Sequence, residues 1–146
     1  MIEKILTGKK TIESRWYGRK CDPWDNVHEG DTIYFKNASE PIAATSKVKK
    51  VIQFDDLTPS EVEQIIEEYY KDLGIGDDQI TEYYEHFKNK KYCILIFLDS
   101  AKKIKPFRIN KSGFGNMCAW LTVDDIEKIK IQPKPKIVQK SIFKKK

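Results

Sequence analysis

Residues 8–16 of this chain read Gly-Lys-Lys-Thr-Ile-Glu-Ser-Arg-Trp, and they predict a junction between a short helix and a strand. Glycine suits the left-handed backbone that follows a helix end, and the β-branched and aromatic residues after it favour a strand. Because side chains alternate along a strand, Glu13 and Arg15 project to one side. Lys10, at the junction, can lean over that same side. The sequence therefore predicts a polar cluster of Lys10, Glu13 and Arg15.

The chemistry of this cluster suits a phosphate-bearing or nucleotide-like ligand. Lys10 and Arg15 could bind a phosphate or polarise a carbonyl group, while Glu13 could accept a hydrogen bond from a base edge or a sugar hydroxyl. The alternative is a solvated strand face that carries a modest surface salt bridge.

The other secondary-structure signals lie on both sides of an acidic helical region. A capping box at Thr58 to Glu61, with proline at the first helical position, begins the first of two amphipathic helices. The predicted elements are a helix at 2–8, strands at 11–16, 31–36 and 42–54, helices that begin at Thr58 and at Asp77 or Asp78, a buried strand at 92–98, an irregular or edge strand at 102–109, and a final helical turn through Ile129 capped by Thr122 or Asp124.

This order predicts an α+β fold in which strands resume after an inserted helical pair. We expect a small, curved, mixed β-sheet that closes toward a barrel, because closure would protect its edges. The tyrosine pairs of the helices are expected to face the core, and Trp16 is expected to be buried on the Ile12 side of its strand.

The net charge of +5 is unevenly distributed along the chain. Residues 132–146 contain six lysines and no acid, whereas residues 55–87 contain eleven acids and one lysine. We expect one domain over residues 1–131 and a basic, flexible tail over residues 132–146. A basic scaffold of this kind suggests a polyanionic partner such as RNA; a solvated, lysine-rich surface is the alternative.

Several classes of protein are disfavoured by composition. The longest apolar run, residues 93–98, is far shorter than the roughly 20 residues of a membrane span, and the first residues predict no signal peptide. Three scattered cysteines give no disulfide framework and no zinc pattern. The sequence therefore predicts a cytoplasmic protein with reduced thiols, no membrane association, no metal and no cofactor.

The pattern Gly-x-Lys-x-x-Glu-x-Arg at residues 8–15, followed by Gly30-Asp31-x-Ile33, resembles the ASCH domain family of the PUA-like superfamily. The resemblance covers roughly residues 3–130 and is weakest through the acidic helices, which look like an insertion. It implies a PUA-like β-barrel with a cleft beside the first helix, a cleft proposed to bind RNA or nucleotides in that family. The positions that match are Lys10, Glu13 and Arg15.

The same resemblance implies, as an alternative function, an enzyme acting on RNA or on a modified nucleoside. One branch of the family is similar to an amidohydrolase of N4-acetylated cytidine that uses a lysine, a threonine nucleophile and a glutamate. Lys10 matches the lysine, but the threonine position falls on Glu13. Other members are proposed ribonucleases. In an enzyme, Glu13 would act as general base and Lys10 as electrostatic stabiliser, although two neighbouring cations weaken a carboxylate as a proton acceptor.

Two further groups complete the predicted ligand site. Trp24 lies in a loop beside basic residues and could stack on an unpaired base. A glycine-rich loop could present backbone N–H groups to a phosphate or simply make a tight turn; its candidate residues are Lys111, Gly113, Phe114 and Gly115. The favoured function is RNA or nucleotide binding, with a hydrolase as the first alternative and a protein-interaction module that uses the acidic helices as the second.

Overall fold

The computed structural model describes residues 2–111 and 125–131. The α-helices are α1 (Ile2–Leu6), α2 (Pro59–Tyr69) and α3 (Ile80–Phe87), with 3₁₀ turns at Asp77–Gln79 and Ile126–Lys128. The strands are β1 (Ile12–Tyr17), β2 (Thr32–Lys36), β3 (Ile42–Phe54), β4 (Tyr92–Ile109) and β5 (Lys130–Ile131). The predicted α+β class and the helical pair between β3 and β4 are confirmed.

The sheet has the order β1-β4-β3-β2, and β5 pairs with β4. Every strand pairing in the described residues is antiparallel, so the prediction of a mixed sheet is wrong. The reason is that the helical pair returns the chain to the end of the sheet it left, where Phe54 pairs with Cys93. Within the described residues β1 and β2 lie at opposite ends of the order, so the expected closure into a barrel is not confirmed.

Strand β4 runs without interruption through the region in which two strands were predicted. Residues 92–98 and 102–109 belong to one strand of 18 residues. Its pairing with β3 shifts register at three places, and Ser100 has a left-handed φ of 39°. Bulges of this kind bend a sheet without ending it. Pro106 lies between the pairs Ala44–Lys103 and Ile42–Phe107, in a region of register shift that tolerates a missing N–H donor.

The two faces of the sheet cover two separate clusters of buried residues. The first core contains Ile2 and Ile5 of α1 together with Ile94 and Ile96 of β4. The second core packs the sheet against α2 and α3; its buried members are Ile12, Trp16, Leu57, Val62, Ile65, Ile66, Leu73, Cys93 and Leu95. Because strand side chains alternate, β1 contributes to both faces.

The helical pair is formed as the sequence indicates. The Thr58 side chain accepts a hydrogen bond from the Glu61 N–H (3.3 Å), and the Glu61 carboxylate accepts one from the Thr58 N–H (2.9 Å). The tyrosine pairs at 69–70 and 83–84 pack against the second core, as predicted. The final turn is capped by Asp125, whose side chain accepts from the Glu127 N–H; Thr122 and Asp124 lie outside the described residues. None of the described helices is long and apolar enough to cross a membrane.

Candidate functional site

The start of β1 is held in place by two neighbouring elements. The Lys10 N–H donates to the Lys4 carbonyl of α1 at 2.9 Å. The N–H groups of Thr11 and Ile12 both donate to the Asp72 carbonyl, in the loop after α2, at 2.8 and 3.0 Å. The backbone that carries the predicted cluster is therefore fixed between the N-terminal helix and the inserted helical pair.

The structure brings Lys10, Glu13 and Arg15 together around one carboxylate. The Lys10 Nζ lies 3.5 Å from the Glu13 Oε2, and the Arg15 Nη2 lies 3.7 Å from the Glu13 Oε1. The Glu13 side chain is only 6% exposed, whereas those of Lys10 and Arg15 are 15% and 27% exposed. The burial of Glu13 is incompatible with the simple solvated strand face that the sequence left open.

The Glu13 carboxylate retains unused hydrogen-bonding capacity. Its Oε2 is buried and accepts no hydrogen bond from the residues that the structure describes, since the Lys10 ammonium stands at ion-pair rather than hydrogen-bond distance. A buried carboxylate is costly unless it is paired and hydrogen-bonded. The two cations offset part of that cost and leave an acceptor that a ligand donor could satisfy.

The opposite face of β1 is locked against α3. The Tyr83 hydroxyl accepts a hydrogen bond from the Trp16 Nε1 at 3.0 Å and shares another with the Ser14 hydroxyl at 2.8 Å. Burial raises the pKa of Tyr83 above its usual value. The Trp16 ring stacks on Phe87 with the ring centres 5.3 Å apart, and Trp16 is only 7% exposed, which confirms the prediction that it is buried. This packing fixes the direction in which Glu13 and Arg15 project.

Comparisons with known proteins identify the fold, through solved structures of low sequence identity. No family model and no curated protein matches the chain. Among solved structures, it is similar to ASCH from Zymomonas mobilis, with 15% identity, 96% of this chain and 85% of that chain covered, and a TM-score of 0.51. A tyrosine-to-phenylalanine mutant of that protein is 15% identical, with 96% of this chain and 88% of that chain covered and a TM-score of 0.53. A serine-to-alanine mutant is 18% identical, with 96% of this chain and 86% of that chain covered and a TM-score of 0.50. The chain has an ASCH fold.

In this ASCH fold, an aromatic group lies beyond Arg15 on the same face of the sheet. The Trp24 ring meets the Tyr92 ring edge to face, with centres 5.3 Å apart and planes at 76°. The Lys20 Nζ lies 5.6 Å from the centre of the Trp24 ring and 5.9 Å from that of Tyr92. Tyr92 was not among the residues predicted for the site. Its place at the start of β4, two residues from the buried Ile94, was the available signal.

The remaining predicted site residues lie mostly beyond the described part of the ASCH fold. Gly113, Phe114 and Gly115 fall outside the described residues, as does the tail at 132–146. Lys111 is half-buried at the end of the described segment. Whether this loop faces the cluster therefore stays a prediction.

Two open depressions in the described residues lie away from the cluster. One of about 200 Å³ is lined by Phe54, Ile65 and Glu68, and one of about 380 Å³ by Asp25, Lys50 and their neighbours. Lys10, Glu13 and Arg15 line neither of them. In the described ranges, 2–111 and 125–131, no group of three or more His, Cys, Asp or Glu residues is placed to hold a metal ion.

Proposed function

We propose that this protein binds single-stranded RNA, or a nucleotide, through the cluster of Lys10, Glu13 and Arg15. The observation that carries the proposal is the buried Glu13 carboxylate, which stands between two partly exposed cations and has an oxygen without a hydrogen-bond donor among the described residues. The ASCH fold supports it, because the resemblance seen in the sequence implies a nucleic-acid or nucleotide ligand in this region.

The two kinds of charge would serve different parts of the ligand. Lys10 and Arg15 would pair with phosphate oxygens, which contribute affinity without sequence information. Glu13 accepts hydrogen bonds only, so it would select a donor such as a base amino group or the 2′-hydroxyl of a ribose. The site would thereby combine phosphate binding with discrimination of base or sugar.

Binding is better supported than catalysis by the same geometry. In the amidohydrolase branch that the sequence resembles, a threonine nucleophile stands at the position of Glu13, and Thr11, which precedes β1, is the nearest threonine in this chain. The Glu13 carboxylate faces two cations, at 3.5 and 3.7 Å, and an ionised carboxylate only accepts hydrogen bonds, which suits a binding site. Hydrolysis of RNA or of a modified nucleoside remains the alternative to be tested alongside binding.

Single substitutions in the cluster test the proposal. Lys10→Ala and Arg15→Ala should each weaken binding of nucleotides and short single-stranded RNAs about ten- to a hundredfold, because a hydrogen bond to a charged group is worth roughly 1.5–3 kcal/mol. Glu13→Gln should instead change the preference among bases or between ribose and deoxyribose, because an amide both donates and accepts. Titration calorimetry against a panel of nucleotides and RNAs measures both effects.

The helical pair offers matched controls on the other side of the sheet. Lys88→Ala and Glu85→Gln remove charges of an exposed ion pair on and beside α3 and should leave binding unchanged. If all three cluster variants bind like the parent, the cluster is structural and the acidic helices become the better candidate. Release of product from RNA or N4-acetylcytidine, lost in Glu13→Gln, would favour the enzyme instead.

A further inference from the structure

A row of side chains continues the face of the cluster along β1 and β4. In the register of these strands Glu13 pairs with Ile96, Arg15 with Ile94 and Tyr17 with Tyr92. Alternate residues of a strand share a face and are spaced by about 6.6 Å, so Tyr17 lies about 13 Å along the strand from Glu13. The face therefore changes from charged to aromatic over a distance that exceeds one nucleotide.

The aromatic end of this face is held in place by the loop after β1. The Tyr17 hydroxyl donates to the Asp22 carbonyl at 2.8 Å, and the Trp24 N–H donates to the Cys21 carbonyl at 2.9 Å. The residue after Trp24, Asp25, makes two hydrogen bonds with the side chain of Gln53 on β3. The Gln53 side chain accepts from the Asp25 N–H at 2.7 Å and donates to the Asp25 Oδ1 at 2.8 Å. A platform fixed in this way loses little conformational entropy when a ligand binds.

The chemistry of the platform suits one unpaired base and its phosphate. Trp24 and Tyr92 are both half-buried, so each ring keeps part of its surface in solvent. Lys20 is exposed, and its ammonium lies within 6 Å of both ring centres. Aromatic rings stack on bases of any identity, and a nearby cation pairs with the backbone phosphate. A base held in a duplex could not present its face to these rings.

We propose that Trp24, Tyr92 and Lys20 form a base-stacking subsite for a second nucleotide of single-stranded RNA, next to the nucleotide held by Lys10, Glu13 and Arg15. This inference rests on the proposed function and makes it more specific. The ligand is a short single-stranded oligonucleotide rather than a mononucleotide, and binding across the two subsites sets the minimum length.

The test compares adenosine 5′-monophosphate, a single-stranded adenylate hexamer and an RNA duplex of the same length. The parent should bind the hexamer more tightly than either other probe. Trp24→Ala should weaken hexamer binding about five- to 150-fold, the range for loss of one stacked base, and leave monophosphate binding unchanged. Trp24→Phe keeps an aromatic face and should retain most of the hexamer affinity.

Lys20→Ala tests the same subsite if Trp24→Ala does not fold. Because Lys20 is exposed, its replacement should leave the fold intact. It should weaken the hexamer selectively and reduce the salt dependence of hexamer binding. If Lys20→Ala, and Trp24→Ala where it folds, bind the hexamer like the parent while Lys10→Ala is weakened, the subsite is wrong and the proposed function stands. Equal binding of duplex and hexamer also overturns the subsite, and binding of no probe by the parent overturns both proposals.

Discussion

Glu13 shows how a single buried charge can point to function. Ion pairs inside a protein often fail to repay the cost of desolvating both charges, so a buried pair is weak evidence for a role in stability. Glu13 is 6% exposed, and its cationic neighbours stand at 3.5 and 3.7 Å, beyond good hydrogen-bond distance. The Glu13 Oε2 has no hydrogen-bond partner within the described residues, and a donor on a polar ligand could satisfy it.

Cys93 gives a pH-dependent test of the packing on the other side of the sheet. Burial raises the pKa of its thiol, whereas the thiol of the unfolded chain ionises near pH 8.5. Between about pH 8.5 and 10 the unfolded state therefore loses a proton that the folded state keeps, so the free energy of unfolding should fall by up to about 1.4 kcal/mol per pH unit. Below that window this contribution is fully present.

Urea unfolding at several pH values measures the slope. Cys93→Ala should flatten it, and Cys21→Ala should leave it as in the parent, because Cys21 is exposed. An unchanged slope in Cys93→Ala would mean that the folded structure does not hold this thiol in its protonated form.

The inserted helical pair packs against the second core, and the loop after α2 also holds the segment that carries the cluster. Its loop accepts the backbone hydrogen bonds of Thr11 and Ile12 at the Asp72 carbonyl, and the Lys4 Nζ donates to the Gly74 carbonyl at 3.0 Å. Gly74 has a φ of +78°, and a Cβ added there would stand 3.2 Å from the Lys10 Cβ. The loop after α2 thus contacts the segment that carries Lys10.

Gly74→Ala should therefore affect stability and ligand binding together. The left-handed backbone costs a residue with a Cβ about 1–2 kcal/mol, and the added Cβ, 3.2 Å from the Lys10 Cβ, would force the Lys10 side chain to shift. We expect a lower free energy of unfolding and weaker nucleotide binding, measured by urea unfolding and calorimetry.

Gly18→Ala is the matched control, because its added Cβ meets no atom within 4 Å and its φ lies outside the left-handed region. It should change neither quantity appreciably. If Gly74→Ala unfolds earlier but binds normally, the helical pair braces the fold without positioning the site.

The distribution of charge over the whole chain separates an acidic helical pair from a basic remainder. Residues 55–87 hold eleven of the 22 acids, and residues 132–146 hold six of the 27 lysines and arginines. A lysine-rich segment contributes affinity for polyanions that does not depend on the nucleotide sequence of the ligand. The subsite of Trp24, Tyr92 and Lys20 would then select single strands, and the cluster of Lys10, Glu13 and Arg15 would discriminate among bases or sugars.

Removing residues 132–146 should weaken RNA binding and reduce its salt dependence. Since each lysine that neutralises a phosphate of a single strand contributes about 0.7 to the slope of log K against log salt, the slope should fall by at most about four. A variant with the tail sequence scrambled but its six lysines kept should bind like the parent. If truncation changes neither affinity nor slope, the tail takes no part in RNA binding.

Local patterns were sufficient for most elements of the fold. The limits of β3, the capping box at Thr58 and the alternation of β2 follow from neighbouring residues, and the structure agrees with each. The single strand at Tyr92–Ile109 was divided in two, because Pro106 and the polar residues before it indicate a break when the register shifts against β3 are unknown. The antiparallel pairing of β3 and β4 was also not predicted, because a helical connection allows two strands to pair either parallel or antiparallel.

The sequence by itself determined the order of elements from α1 to α3, the shared face of Glu13 and Arg15 on β1, and the acidic character of the insertion, because periodicity and charge are properties of adjacent residues. Tertiary structure alone decided that Glu13 is buried, that Tyr83 locks β1, and that Tyr92 joins Trp24 and Lys20. These contacts join residues far apart in the chain. Burial and pairing depend on which segments meet in space, and no local pattern carries that information.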